Sequence, residues 1–504
     1  AVIPAESTLA ISVDRTGMGE LEPSLRYLVE YPYGCLEQTL SRFIPLAKVQ
    51  DLATSLDSKA LAGTKLDRYI KIGAAKVVRH QHSDGHYSLW PSGPTYPHLT
   101  VYATYGLWEA KRAGVAVDEQ AMARGADAIR RWANDGTRKV GPDGDSATMA
   151  MAAFVLAETG KPDTGLDARL YEGRRGLPRY GQAFLLRALA RAKAPAAQIR
   201  TLESELLAAA SAAPHGGVMI KETAGELDWY MNSDVRSTAM VLAALLETAP
   251  GNPIVDRLAE GLRGTRSGGG TWSSTQDNLW ALIALADYAR RQADGQATFT
   301  VDLGGKKIEK TVHGHEVFAL RQSLADVPPG KLVITSKDRV RYAVRLTAAR
   351  EDKAPTPVDR GFQVTRKYLD ARSGKPVTVL AAGQLVKVIV TVKTPVDRTF
   401  VAVVDHLPAG LEAVNTRLAT SQQQATRGYG YYPSYRWWWG WTHQELRDDR
   451  VLAFADRMQA GDLQLEYLAR ASLPGTYRTL PATAEAMYQP EINGRTAGET
   501  VTVK

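Results

Sequence analysis

The chain has 504 residues, of which 44% are hydrophobic and 23% are charged, and this length predicts about three domains. Lysine and arginine outnumber aspartate and glutamate by 62 to 54, a formal net charge of +8. The basic residues form no block and no nucleic-acid-binding motif is present, so nucleic acid is not an expected partner. No apolar run reaches the roughly 18 residues that a membrane span requires.

The first part of the chain predicts one strand followed by many helices. Polar and apolar residues alternate over 6–13, which is typical of a half-buried strand. From about residue 20 to 292 the sequence becomes alanine- and leucine-rich with helical spacing, and clusters of Gly, Pro and Asp separate the helices. The clearest helices are predicted at 99–112, 147–159, 182–192, 237–248 and 277–291. About a dozen helices, paired at intervals of roughly 40 to 60 residues, predict an α/α toroid.

The remainder of the chain has the period-two pattern of β-strands. Strands are predicted at 298–303, 331–335 and 342–346, and if strand 6–13 joins them, the helical region is an insertion in a β-sandwich. A charged, proline-containing linker follows at 350–357. Beyond it a second β domain is predicted, with its clearest strands at 384–392 and 400–405.

The single cysteine, Cys35, lies three residues before Gln38. Residues i and i+3 share a helix face, so the sulfur can approach the Gln38 side-chain carbonyl, and loss of ammonia would leave a thioester. A helix N-terminus favours the nucleophilic thiolate, and Gly34 allows the backbone to turn there. A bare C-x-x-Q pair is more often a buried small residue beside a surface amide, so the flanking residues decide the interpretation.

Those flanking residues resemble a known signature. Pro-Tyr-Gly-Cys-x-Glu-Gln, at 32–38, resembles the thioester motif of alpha-2-macroglobulins and thioester-containing complement components, and the stretch 31–39 looks like the bacterial branch. Asp84-Gly85-His86-Tyr87-Ser88-Leu89-Trp90 followed by His98-Leu99-Thr100-Val101-Tyr102 is similar to two further family segments. Thr271-Trp272-Ser273-Ser274-Thr275-Gln276-Asp277 matches a family helix start, and Ser274 and Asp277 have capping-box spacing.

The resemblance covers essentially the whole chain and implies the fold of a C-terminal fragment. It implies a CUB-like β domain (1–19 and 293–350) into which the helical thioester domain (20–292) is inserted. A receptor-binding-like β-sandwich (358–504) follows. Residues 1–4 have neither the basic nor the apolar part of a signal peptide, so we expect a signal or lipoprotein segment upstream in a longer protein.

The implied function is a non-enzymatic protease trap in the periplasm. The upstream segment would anchor this protein at the inner membrane. Cleavage of a bait region, which this chain does not evidently contain, would expose the thioester, and lysine amines of the protease would attack it. The expected partners are target proteases, small amines such as methylamine, and other envelope proteins. A monomer without cofactor is expected.

A thioester must be kept from water until it is triggered. By resemblance to the bacterial relatives, the shielding residues here are Tyr31, Tyr33, Trp90, Met487 and Tyr488, although ordinary core packing also explains the first three. Some complement relatives direct the thioester to hydroxyl groups through a histidine. The matching stretch, 141–149, contains no histidine, which predicts a preference for amines.

Two other signals are given less weight. The cluster of His80, His82, Asp84 and His86 lacks a recognised ligand signature, so no metal is predicted. The Tyr- and Trp-rich segment 428–441 could stack on sugars or bases, but interdomain packing or a partner surface is the simpler interpretation.

Two alternative functions remain open at this stage. An α/α-toroid carbohydrate-active enzyme would need paired carboxylates in a cleft, and no such pair stands out. A scaffold that has the same fold but no thioester would bind other envelope proteins.

Overall fold

The computed structural model of the chain forms two compact units, Ala1–Glu351 and Asp352–Lys504, each described here by itself. Residues whose structure is described are 2–31, 33–52, 64–140, 144–214, 216–222, 232–292, 294–351, 355–415 and 440–504. Within those ranges no helix combines the length and the apolar character needed to cross a membrane.

The first unit contains twelve α-helices among the described residues. They are α1 (Glu22–Glu30), α2 (Leu36–Val49), α3 (Thr64–Val78), α4 (Pro97–Arg112), α5 (Glu119–Ala133), α6 (Gly144–Glu158), α7 (Thr164–Glu172), α8 (Arg179–Arg191), α9 (Ala196–Leu207), α10 (Asp234–Thr248), α11 (Ile254–Gly264) and α12 (Thr275–Arg290).

The even-numbered helices form a closed inner ring. Helix α2 packs against α4, α4 against α6, and so on to α12, which packs back against α2. The odd-numbered helices lie outside, each against neighbouring inner helices. The inner helices are buried on nearly every side, as in α6 and α12, because they contact neighbours all round. The predicted α/α toroid is therefore confirmed.

The inner helices all run in the same direction, so the barrel has two distinct ends. The first turns of the six helices meet at one end, which we call the N-terminal pole, and their last turns meet at the C-terminal pole. Each pole therefore collects the partial charge of six helix ends, positive at the N-terminal pole and negative at the other.

A small β-sandwich completes the first unit. A hairpin within the helical region is formed by β2 (Ala210–Ala212) and β3 (Val218–Ile220). The sandwich strands are β1 (Thr8–Asp14), β4 (Gln296–Leu303), β5 (Lys306–His313), β6 (Val317–Ser323), β7 (Leu332–Ser336) and β8 (Arg341–Thr347). One sheet has the order β6-β1-β8 and the other β5-β4-β7. Because β1 lies between β6 and β8, the helices are inserted in sequence between a strand and its partners.

The second unit is an antiparallel-rich β-sandwich. Its strands are β9 (Val358–Arg360), β10 (Gln363–Asp370), β11 (Val379–Leu380), β12 (Leu385–Thr394), β13 (Arg398–His406), β14 (Leu411–Ala413), β15 (His443–Leu446), β16 (Arg450–Met458), β17 (Gly461–Ala471), β18 (Gly475–Thr479), β19 (Thr483–Ala486), β20 (Gln489–Arg495) and β21 (Glu499–Val503). Alternate valines of β12, from Val386 to Val392, point into its core. This alternation is the period-two pattern by which the sequence predicted the strand.

The structure adjusts the predicted element boundaries. The predicted helices begin two or three residues earlier in the structure, for example at Thr275 rather than 277, because their first turns hold polar residues that the apolar pattern does not register. The β2–β3 hairpin was not predicted at all. Each of its strands has only three residues, too few to establish a period.

Candidate functional site

Cys35 is the N-cap residue of α2, and the side chains of Cys35 and Gln38 each contact the backbone N–H of the other residue. The Gln38 backbone N–H points to Cys35 Sγ at 3.5 Å, and the Cys35 N–H donates to Gln38 Oε1 at 3.4 Å. This reciprocal arrangement is a capping box, with sulfur in the place of the usual hydroxyl. It places the thiol and the carboxamide on the same helical turn.

Both side chains are shielded from solvent, with exposed fractions of 0% for Cys35 and 2% for Gln38. The Leu36 N–H donates to the Leu89 carbonyl at 3.0 Å, which attaches the start of α2 to the segment that carries Trp90. Lys76 Nζ donates to the Gly34 carbonyl at 2.8 Å. The turn before α2 is therefore held from two sides, and the sulfur is buried.

The predicted shielding residues are found in both units. Tyr31 and Tyr33 are buried just before Cys35, and their rings meet edge to face with centroids 5.3 Å apart. Trp90 is also buried, and its carbonyl accepts a hydrogen bond from Ser88 Oγ at 2.5 Å. The three predicted shielding residues of the first unit are therefore all buried.

Met487 and Tyr488 belong to the second unit, just after β19. The Met487 N–H donates to the Phe400 carbonyl at 2.9 Å, and the Tyr488 ring packs edge to face on Phe400, with centroids 5.2 Å apart. Phe400 has a φ of +52°, a conformation that a bulky residue rarely adopts. The backbone is therefore strained where it supports this pair.

A buried carboxylate lies between Cys35 and Gln38 in the sequence. Glu37 is fully buried, and its carboxylate accepts hydrogen bonds from Ser41, from Thr275 Oγ1 at 3.1 Å and from Gln276 Nε2 at 2.7 Å. Tyr102 OH lies 3.0 Å from Ser41 Oγ. Burial, together with the negative charge of Glu37, raises the pKa of Tyr102, which keeps this phenol protonated.

A cavity of about 40 Å³ opens inside the N-terminal pole. Its apolar wall comes from inner-helix side chains such as Met151, Phe184 and Trp280, and its polar lining consists of Glu37, His98, Tyr102, Thr148, Arg236 and Gln276. Such a volume holds one or a few water molecules. A glycosidase needs two carboxylates flanking its substrate, and the described lining of this cavity contains one, Glu37, so the cavity does not support a carbohydrate-active enzyme.

His98 lies at this site, although the sequence indicated only that it belongs to the 98–102 motif. Tyr102 on α4 is level with Ser41 on α2. Because the two helices run in parallel, His98, one turn before Tyr102, is level with Glu37 and Gln38. Burial, assisted by the charge of Arg236, lowers the pKa of His98 to about 4, so its imidazole is neutral at physiological pH. The signal for it was the i, i+4 spacing to Tyr102.

The histidines discounted for metal binding make other contacts. His80 Nδ1 lies 3.2 Å from the Ser88 carbonyl, and His82 Nε2 lies 3.1 Å from Ser88 Oγ. Groups of three or more possible metal ligands are absent from the part of the chain that the structure describes. Of the aromatic segment 428–441, all but Gly440 and Trp441 lie outside the described residues, and Trp441 Nε1 donates to the Gln464 carbonyl at 2.6 Å.

Comparisons with known protein families give two matches. Residues 11–130 match the model described as the A-macroglobulin TED domain, and residues 361–491 match the bacterial alpha-2-macroglobulin MG10 domain. The first match includes Cys35, Gln38 and Glu37. The second includes Met487 and Tyr488.

Among curated proteins, the chain is 27% identical to an alpha-2-macroglobulin of Xylella fastidiosa and 28% identical to that of Escherichia coli K12. Each alignment covers 95% of this chain and 29% of the relative. Among solved structures, Salmonella alpha-2-macroglobulin reacted with methylamine covers 100% of this chain at 26% identity and a TM-score of 0.80, and the chain covers 32% of it. This chain thus spans less than a third of the length of these relatives.

Proposed function

Because the chain belongs to the bacterial alpha-2-macroglobulin family, we propose that Cys35 and Gln38 form an internal thioester that captures attacking proteases covalently. The single observation that carries this proposal is the capping box of Cys35 and Gln38, which holds the sulfur and the carboxamide on one buried helical turn. The family is one of protease inhibitors, and this chain would supply its reactive bond.

The chemistry needs only the two side chains and an incoming amine. The Cys35 sulfur attacks the Gln38 side-chain carbonyl carbon, the thiol proton passes to the amide nitrogen, and ammonia leaves. Later, a lysine amine of a protease attacks the same carbonyl, the Cys35 thiolate leaves, and an amide bond joins the protease to residue 38. The bond is consumed once, so the protein acts as a stoichiometric trap and not as an enzyme.

The shielding and the trigger belong to the same proposal. Tyr31, Tyr33 and Trp90 would exclude water from one side, and Met487 and Tyr488 would cover the bond from the second unit until bait cleavage in the full-length protein separates them. Two discrete states of this cover, closed and open, make reactivity switchable. Measuring how fast Tyr33→Ala and Met487→Ala lose the thioester in water, relative to the unmodified chain, tests the shield.

The proposed targets are lysine amines and small amines. The Salmonella relative was reacted with methylamine, and a neutral amine is a stronger nucleophile toward a thioester than a hydroxyl is. The proposed location is the periplasm, with anchoring through an upstream lipoprotein segment. Fractionation of cells that express the full-length protein, with and without that segment, tests this location.

Intact-mass analysis of the purified chain tests the thioester directly. We expect a mass about 17 Da below that of the sequence, because one ammonia is lost, and methylamine should then add once and release one thiol. Gln38→Glu and Cys35→Ala should each abolish both results. Gln198→Glu, a matched change on outer helix α9, should leave them intact. A chain with the full sequence mass that takes up no methylamine would instead be a thioester-free scaffold.

A further inference from the structure

The buried carboxylate of Glu37 connects two segments that are far apart in the sequence. It belongs to the first turn of α2, between Cys35 and Gln38, and its main partners, Thr275 and Gln276, begin α12. Gln276 Oε1 in turn accepts a hydrogen bond from Trp280 Nε1 at 3.0 Å. Because an indole N–H can only donate, this contact directs the Gln276 amide N–H groups toward Glu37.

The surroundings of Glu37 make its buried charge tolerable. A carboxylate taken out of water is costly unless it is hydrogen-bonded, and this one lies at the starts of two helices, where the unpaired N–H groups and the helix dipoles favour negative charge. Ser41, one turn further along α2, donates to the same carboxylate. The first turn of α2 is thereby fixed to α12, and it cannot rotate without breaking several buried hydrogen bonds.

We infer that Glu37, held by Thr275 and Gln276, is a positioning residue that sets the first turn of α2 so that the Cys35 sulfur meets the Gln38 carbonyl. This role rests on the proposed thioester, because Glu37 would hold the two groups that react to form it. The sulfur attacks a weakly electrophilic amide, so the reaction depends on how closely the two groups are held. A turn that is free to rotate would keep the residues but lose the geometry.

Exchanging the acceptor Glu37 and the donor Gln276 tests this positioning role. Glu37→Gln presents an amide N–H group to the Gln276 amide and should lower the rate of thioester formation about tenfold or more, since small displacements of reacting groups have effects of this size. Gln276→Glu places two carboxylates together and should lower the rate at least as much. The double variant Glu37→Gln/Gln276→Glu restores one donor and one charged acceptor, and it should recover most of the wild-type rate.

The measurement is the fraction of refolded chain that has lost one ammonia, followed over time by intact mass, alongside thermal unfolding of the same samples. Glu109→Gln is the matched control. Glu109 is another buried carboxylate of the barrel, at the C-terminal pole, where it pairs with Lys48 at 3.1 Å. This control should lower the melting temperature but leave the thioester fraction unchanged. Rescue by the double variant is a readout that a merely structural role would not move.

Three outcomes separate the claims. If the unmodified chain forms no thioester, the proposed function fails. If it does, and folded Glu37→Gln forms the bond at the wild-type rate, the positioning role is wrong. If Glu37→Gln does not fold, Thr275→Val is tested instead, because valine has the shape of threonine but lacks the hydroxyl that donates to Glu37. A slower rate of thioester formation in this variant supports the positioning role, and a wild-type rate overturns it.

Discussion

The two poles of the helical barrel stabilise carboxylates in different ways. At the N-terminal pole, Glu37 accepts from hydroxyl and amide groups, and Glu222 accepts from the backbone N–H groups of Arg179 and Tyr180 at 2.9 and 3.2 Å. At the C-terminal pole, Glu247 accepts from Arg187 Nη2 at 2.6 Å and also pairs with Arg191. Glu37 and Glu222 thus accept hydrogen bonds from uncharged donors, whereas Glu247 is held by ion pairs.

The helix dipoles account for this difference. Six helix starts at the N-terminal pole supply positive partial charge and spare N–H groups, so carboxylates are favoured there without a matching number of cations. Six helix ends at the C-terminal pole supply negative partial charge, so lysine and arginine are favoured. The ion pairs close the C-terminal pole, where Arg187 is buried over the face of Phe154, 4.2 Å from the ring centroid. The N-terminal pole retains a cavity and the candidate thioester.

This comparison predicts that the C-terminal pole serves stability and the N-terminal pole serves chemistry. Arg187→Met should show the largest effect, lowering the free energy of unfolding by about 3 kcal/mol, because Glu158 and Glu247 then lose one cationic partner and must share Arg191. The thioester fraction of the folded protein should not change. Urea denaturation measures the first quantity and intact mass the second.

Arg175→Met provides the control for that prediction. Arg175 is exposed and lies 3.6 Å from Glu205, and surface pairs of this kind contribute about 0–1 kcal/mol. If the two substitutions cost the same, or if Arg187→Met also prevents thioester formation, the division of roles between the poles does not hold.

The N-terminal pole should be sensitive to acid because of His98. Its pKa lies at about 4 in the folded chain and at about 6.5 in the unfolded chain, so between these values the unfolded chain binds the additional proton. The free energy of unfolding should therefore fall as the pH falls from about 6.5 to 4, by about 1–3 kcal/mol from this residue alone. The other titratable side chains that line the cavity beside His98 are Glu37, Tyr102, Tyr180 and Arg236.

Comparison of variants isolates the contribution of His98 from that of the carboxylates that titrate in the same range. His98→Gln should show a shallower dependence of the free energy of unfolding on pH below 6.5, measured by urea denaturation at pH 7, 5.5 and 4.5. His313→Gln, at an exposed position on β5, should keep the wild-type slope. Equal slopes in all three proteins would mean that His98 takes up its proton as readily folded as unfolded.

Local sequence patterns predicted the components of the site but not their assembly. The C-x-x-Q spacing placed Cys35 and Gln38 on one turn because that contact lies within a single helical turn. The Glu37–Thr275 contact joins residues 238 positions apart, and it exists only because α12 packs back against α2 when the ring closes. Periodicity predicted a helix at 277–291, and the Cys35–Gln38 spacing suggested a helix start at Cys35, yet neither pattern carries information on which helix start lies beside which.

The parts of the prediction that depend on more than one unit remain predictions. Met487 and Tyr488 lie in the second unit, and their role as a cover requires a defined arrangement of both units. The strained Phe400 that supports them leaves no trace in the sequence, since its φ follows from a break in the pairing of β13 with β16. Shielding by these residues therefore rests on family resemblance and on the proposed assay.

The smallest expected effect distinguishes helix starts that adjoin the site from those that do not. Ser274 caps α12, with its Oγ accepting from the Asp277 N–H at 3.1 Å, and Asp163 caps outer helix α7 by accepting from the Leu166 N–H at 3.0 Å. Replacing either residue with alanine should cost about 1 kcal/mol of unfolding free energy. Only Ser274→Ala loosens the turn that holds Thr275 and Gln276 against Glu37, so only this variant should form the thioester more slowly. Equal rates of thioester formation in the two variants would show that the reaction tolerates a loosened start of α12. The position of the first turn of α2 would then depend on contacts within α2 itself.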